Sequence, residues 1–369
     1  MTQEERLLPW ELTEEILSRV PPRSLVRFRA VSKQWKALID DKTFINNHKS
    51  AFRFILTTYN KIYSVSIDPK IVLRELTLDV PGLETQTPNN VVDCDEFLLC
   101  DMYKGSAVIW NPWLNQTRWI KAEPELRFEG LGYDSNVRVR ESVYKTIWSS
   151  GESTEWMLHG LDSEDAWKDL MSKYGGQIQE ERRCTIHSET GVALNGTLYW
   201  VAFLGNKETL SLLCFDFSRE LFSRFCALPC GMSHDDDAVV LGVFKGDRLS
   251  LLKQCYKTKK IEIWVTSSKI DVGGGADVIW TSFMSIPDFP GLFQTETNCE
   301  PSYFIEDKRL VVCSCDKTGK AWIYVAGENK LISKVQLDSV VGHWPLHCTY
   351  CPSLVPVPRG QREETELQV

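Results

Sequence analysis

Two textures of hydrophobic and polar residues divide this chain. Near its start, Trp10, Leu12, Ile16, Leu17 and Val20 are spaced so that Leu12, Ile16 and Val20 gather on one side of a helix, with Leu17 beside them. Pro9 suits a first-turn position, and Glu11, Glu14 and Glu15 precede Arg19, the order the helix dipole favours. Pro21 and Pro22 end this helix, because proline lacks a donor and clashes with the preceding turn. Leu25, Phe28 and Val31 mark a second helix. Ser32 is placed to cap a third that carries Trp35, Leu38 and Ile39, and two more turns cover Phe44 and Ile45. Some forty residues in short helices carry more apolar side chains than such a bundle hides by itself, which implies that a partner completes it.

Beyond Ser50 the pattern changes to short alternating runs, among them "FRFILTTYNKIYSVSI", "GSAVIWNPWLNQTRWI", "VALNGTLYWVAF" and "KIEIWVT", which predict strands. Asn195-Gly196 between Val192–Leu194 and Leu198–Trp200, and Gly246-Asp247 before Leu249–Leu251, predict hairpins. The pairs repeat imperfectly from near residues 52, 97, 130, 191, 239 and 303, an irregular period that fits the blades of a propeller with loop insertions. About six blades are expected, and radial repetition leaves few open sheet edges. The run Ser353–Val357 is expected to return and complete the first blade, and "DSEDAWKDLMSKYGGQ" has a short helical look. Trp110, Trp200, Trp264 and Trp322 recur once per unit and read as blade core.

Residues 8 to 48, "LPWELTEEILSRVPPRSLVRFRAVSKQWKALIDDKTFINNH", resemble an F-box. Leu8-Pro9, Glu15-Ile16-Leu17, Pro21, Ser24-Leu25, Arg27-Phe28, Val31, Lys33, Trp35, Phe44 and His48 fall where that family has them, while Trp10, Val20 and Ser32 depart from it. The resemblance implies docking on the Skp-type adaptor of a cullin-RING ubiquitin ligase through Leu8, Pro9, Ile16, Leu17, Pro21, Leu25, Val31 and Trp35. Further along, "VIWNPWLNQTRWI", "LGYD", "VALNGTLYWVA", "LLCFDFSRELF", "LPC", "IEIWVT" and "PSLVPV" resemble, in that order, the F-box-associated domain of the large plant F-box family. That likeness implies a kelch-like, propeller-type module that captures the protein to be ubiquitinated.

Composition narrows the alternatives. Twelve cysteines at irregular intervals, in 369 residues that start with no secretory pattern, read as reduced thiols of a cytoplasmic or nuclear protein. No run approaches the length of a membrane helix. A net charge of −8 argues against nucleic acid as partner, although Arg19, Arg23, Arg27, Arg29, Lys33 and Lys36 by themselves could suggest a helix-turn-helix.

The motifs that could carry catalysis or metal binding have plainer readings. His343, His347, Cys348 and Cys351, with Cys313 and Cys315 upstream, could suggest zinc, but alternate cysteines on one strand are ordinary core residues. Asp235-Asp236-Asp237 lacks the spaced ligands of a calcium loop and reads as a solvated turn. Gly273–Gly275 reads as a loop tip rather than a phosphate cradle.

The sequence therefore predicts an α+β multidomain chain: a helical F-box over 1–50, a mainly-β propeller-like domain of about six blades over 51–357, and a disordered polar tail over 358–369. It predicts a non-catalytic receptor subunit without metal or cofactor, partnered by the adaptor, through it by cullin and RING subunits, and by an unknown target. A propeller enzyme or metal protein, or a kelch-like scaffold outside ubiquitination, are the alternatives. Target contacts are expected in the loops at 104–105, 149–154, 205–208, 233–237, 256–260, 271–276 and 316–319.

Overall fold

A computed structural model describes residues 8–358 except 49, 59–60, 68–69, 79–87, 89, 95, 103–105, 122–125, 135–143, 151–155, 162–166, 171–183, 187–190, 205–208, 233, 235, 271–277, 290–299, 307, 317, 328–329 and 339–345. The expected tail and the Gly273–Gly275 tip lie outside the described residues, apart from Pro358.

Four short helices come first: α1 (Trp10–Leu17), α2 (Pro22–Phe28), α3 (Lys33–Ile39) and α4 (Lys42–Asn46). The paired prolines end α1, and Pro22 then opens α2, where its missing donor costs nothing. Ser32 accepts from the Trp35 backbone at 3.1 Å and Asp41 from Thr43 at 2.7 Å, so the last two helices are capped as their sequences require.

Six antiparallel sheets follow. The first holds β1 (Phe54–Thr57), β2 (Ile62–Ser66) and β3 (Val72–Leu76); the second β4 (Asn90–Cys94), β5 (Phe97–Met102), β6 (Ser106–Asn111) and β7 (Gln116–Lys121). The third holds β8 (Leu126–Tyr133), β9 (Tyr144–Ser150), β10 (Trp156–Gly160) and β11 (Trp167–Asp169). In the fourth, β12 (Cys184–Ile186) and β13 (Val192–Leu194) both pair with β14 (Thr197–Leu204), ahead of β15 (Thr209–Asp216) and β16 (Leu221–Ala227). The fifth holds β17 (Ala238–Phe244), β18 (Arg248–Gln254), β19 (Ile261–Thr266) and β20 (Trp280–Ile286). The sixth holds β21 (Ser302–Glu306), β22 (Arg309–Cys315), β23 (Ala321–Gly327) and β24 (Lys330–Gln336). Finally β25 (Leu346–Thr349) pairs with β1, with Phe54 opposite Thr349, and closes the first blade. Around the axis β25, β4, β8, β13, β17 and β21 touch in turn, and β21 meets β25 again, which completes a six-bladed propeller.

Closure falls on Leu346–Thr349, not on Ser353–Val357 as the alternation suggests. Pro352, Pro356 and Pro358 remove ladder donors from the later run, which is held by side chains instead. Buried Asn111 donates to the Ser353 and Val355 carbonyls at 3.0 and 2.9 Å, and Gln116 accepts from Val357 at 3.0 Å. Within the stretch that has a helical look, Trp167–Asp169 pairs with Met157–His159 as an outer strand and Leu170 is helical, while residues 162–166 and 171–177 lie outside the described residues. Asn195 and Gly196 both take positive φ, 51° and 78°, the geometry of a tight two-residue hairpin. Trp110 and Trp200 are buried, and Trp264 and Trp322 half-buried, against the blade cores. Cys313 and Cys315 are buried together with Val311 and Ile323, and Cys348 packs in the core beneath the helices.

The helices do not stand apart from this ring. Leu17, Leu25, Ile39, Phe44 and Ile45 are buried in one cluster with Ile55, Leu98, Trp110, Trp113, Tyr350 and Leu354 of the first two blades. The propeller of the same chain, and not a partner as the sequence suggests, supplies the half of the core that the helices lack.

Candidate docking surface

What this packing leaves outside defines the surface. α1 is apolar over a wide arc: Leu17 points into the shared core, 1% exposed, while Leu12 and Ile16, four residues apart and about 100–140° around the helix from it, are each 51% exposed. Leu8 at 60%, Trp10 at 40% and, after α2, Val31 at 61% are exposed apolar residues of the same helical segment. Singly exposed apolar residues are ordinary, but five among the described residues up to Val31 make a candidate interface.

Of the eight residues the sequence resemblance implies, Leu8, Pro9, Ile16, Pro21 and Val31 are exposed. Trp35 is half-buried, its ring 5.5 Å from Phe28. Leu17 and Leu25 are not available: at 1% and 0% exposure they are committed to the core shared with the propeller. Trp10 and Leu12 join the surface in their place. The signal for Leu12 was its four-residue spacing from Ile16, which fits a docking face as well as a core face.

Polar contacts tie the helical segment to the propeller. Arg23 of α2 donates through Nε to the Leu114 carbonyl at 2.7 Å and through a terminal nitrogen to the Asn115 carbonyl at 3.0 Å, at the tip of the β6–β7 hairpin. Trp113 of that tip donates from Nε1 to Ser50 Oγ at 3.1 Å. His48 lies edge-on to the Trp113 ring, 5.2 Å away. Its Nδ1 accepts from the Ser50 backbone at 3.2 Å, so the ring proton sits on Nε2, which donates to the Val20 carbonyl at 2.9 Å. Burial lowers the His48 pKa, so the ring stays neutral near neutral pH. Arg19 pairs with Glu15 at 2.5 Å and Arg29 with Asp40 at 2.5 Å. Together with Arg23, these pairs divert half of the cations that hinted at DNA recognition.

The helices also fix the two ends of the propeller. Each inner strand runs toward them, and α3 and α4 border one mouth of the central channel, a cavity of about 1160 Å³. The connections β6–β7, β17–β18 and β21–β22 share that near end, whereas β18–β19, β22–β23 and the segment leading into β17 lie at the distal end. Residues 256–260 and the described parts of 233–237 and 316–319 are therefore distal. The loops at 104–105, 205–208 and 271–276, and most of 149–154, lie outside the described residues.

At the distal end Asp237 departs from the solvated turn expected of it. It is fully buried, accepts from the Tyr256 backbone at 2.9 Å and pairs with Lys253 at 3.3 Å. His234 stacks on Tyr256 with ring centroids 4.9 Å apart. The 255–260 hairpin loop is thus anchored, while Lys257 and Lys259 are exposed.

Sequence comparison agrees with this architecture. An F-box domain pattern matches residues 6–47, and that of the F-box associated beta propeller domain matches residues 53–357. The chain belongs to the F-box proteins that carry this propeller. It is 55% identical over 376 residues to an F-box protein of Arabidopsis thaliana, covering 98% of each chain, and 55% identical over 373 residues to an F-box/kelch-repeat protein of the same plant, covering 98% of this chain and 96% of the other. Protein SUPPRESSOR OF NIM1 1 of Arabidopsis thaliana is 41% identical over 380 residues, covering 95% and 98%. In this F-box protein the propeller both follows the F-box in sequence and completes its core in space.

Proposed function

We propose that this F-box protein is the non-catalytic substrate receptor of a Skp-cullin-F-box ubiquitin ligase, working in the cytoplasm or nucleus. The observation that carries the reading is the wide apolar arc of α1: Leu17 is spent on the propeller, and Leu12 and Ile16 face outward, with Leu8, Trp10 and Val31 exposed in the same helical segment. A Skp-type adaptor would cover those residues and bring cullin and RING subunits with it.

The target would be held at the distal end, because α3 and α4 border the other mouth of the channel. The protein's contribution is geometric. With helices and blades sharing one core, adaptor and target are held at a fixed separation, which raises the effective concentration of target lysines at the charged conjugating enzyme. The full chain mixed with purified Skp-type adaptor should elute from size exclusion as a one-to-one complex. Two separate peaks at micromolar concentrations would rule the reading out.

A further inference from the structure

Under the F-box, at the near mouth of the channel, three lysines from distant stretches of chain line one cavity. Lys42 stands on α4, Lys245 in the β17–β18 turn and Lys308 in the β21–β22 turn. Lys42 reaches across to blade five, its Nζ 3.3 Å from where a Cβ on Gly246 would sit. Arg29 and Arg53 line the same mouth but are neutralised by Asp40 at 2.5 Å and Glu306 at 2.9 Å. Among the described residues the three lysines have no carboxylate partner.

The cavity's remaining acids stand on other elements. Asp93 and Glu96 stand across the channel on blade two, Glu96 bonded to the Ser353 hydroxyl, and Asp101 and Glu300 stand at the distal end. With Arg29 and Arg53 paired, the three lysines are the cations left on the α4 side of the mouth. The three lysines are exposed and line one mouth, so their like charges repel to the extent that solvent leaves them unscreened. Two of them, Lys245 and Lys308, also sit at positive φ, 55° and 63°, a region uncommon for residues other than glycine. A multiply charged anion would reverse the sign of that repulsion, and ammonium groups bind phosphoryl oxygens as separate point charges.

We propose that this mouth binds a small polyphosphate, each lysine meeting a phosphoryl group, so that the ligand bridges the F-box and blades five and six. The site involves none of the outward apolar residues and stands or falls independently of adaptor docking.

The test uses the full chain and inorganic tripolyphosphate as probe, titrated by calorimetry at about 0.1 M salt. The expected result is saturable one-to-one binding, weakened at least tenfold in the triple variant Lys42→Gln, Lys245→Asn, Lys308→Asn. Asparagine is chosen at the turn positions because it tolerates positive φ. A control variant at the distal end, Lys257→Gln with Lys259→Asn, the latter also at positive φ, should bind tripolyphosphate as the parent does. Should the triple variant lose affinity only because it is misfolded, its adaptor binding and melting temperature would change too; both are expected to stay within error. Absence of saturable binding, equal affinity in the triple variant, or equal weakening by the distal control would each overturn the site.

Discussion

Arg23 of α2 donates to the Leu114 carbonyl at 2.7 Å across 91 residues of sequence, tying the F-box to the tip of the second blade. Beside this bond Leu25 is fully buried against that blade. F-box and propeller are thus parts of one cooperative structure. Leu25→Ala should lower stability by about 2–5 kcal/mol, the usual cost of truncating a buried leucine, and denaturant unfolding should remain a single transition for both domains. Two transitions, with only the first moved, would show that the domains fold separately.

Removing residues 8–48 follows from the same core. It uncovers Ile55, Trp110, Trp113 and Tyr350, so the truncated propeller should melt lower than the full chain and bind a hydrophobic dye. An unchanged melting temperature would mean that the shared cluster contributes little.

The pH dependence has a defined sign. Burial lowers His347 to about 4 from its usual 6.5, so the unfolded chain binds more protons than the folded one between those values. The stability contributed by the neutral ring is present above pH 6.5 and is lost as pH falls toward 4, by about 3 kcal/mol at most. Asp101 opposes this: burial raises its carboxyl to about 6, so stability is regained as pH falls from 6 toward 4. The stability of the parent relative to His347→Gln should therefore shrink as pH drops from 7 to 4.5, since the variant keeps Asp101. A constant difference across that range would contradict the assignment.

At the distal end Lys257 and Lys259 project from the anchored 255–260 loop, so they should bias capture of a charged target without affecting folding. Lys257→Glu with Lys259→Glu should change the salt dependence of target association and leave adaptor affinity and melting temperature unaltered. A shift in adaptor affinity would place this loop near the wrong end.

Much of this architecture is legible in the chain because alternation and turn chemistry act locally. The Asn195-Gly196 hairpin and the repeat origins near 130, 191, 239 and 303 coincide with β8, β13, β17 and β21. The errors lie where non-local packing decides. Leu346–Thr349 is too short to announce itself, and its identity as a strand comes from β1 at the far end of the chain. Trp167–Asp169 is an outer strand of three residues, too brief to show a period. In α1, Leu12, Ile16 and Leu17 are all apolar, and only the propeller beneath determines which is core and which is surface.

That distinction between adjacent residues supplies the most direct test of the central claim. Adaptor affinity and melting temperature should be measured together for Ile16→Ala and Leu17→Ala in the full chain. Ile16→Ala should weaken adaptor binding by about 2 kcal/mol, roughly thirtyfold, with the melting temperature unchanged, because its side chain is 51% exposed. Leu17→Ala should lower the melting temperature and, while folded, bind the adaptor nearly as the parent does. Normal adaptor affinity in Ile16→Ala, with the loss appearing in Leu17→Ala instead, would contradict the account.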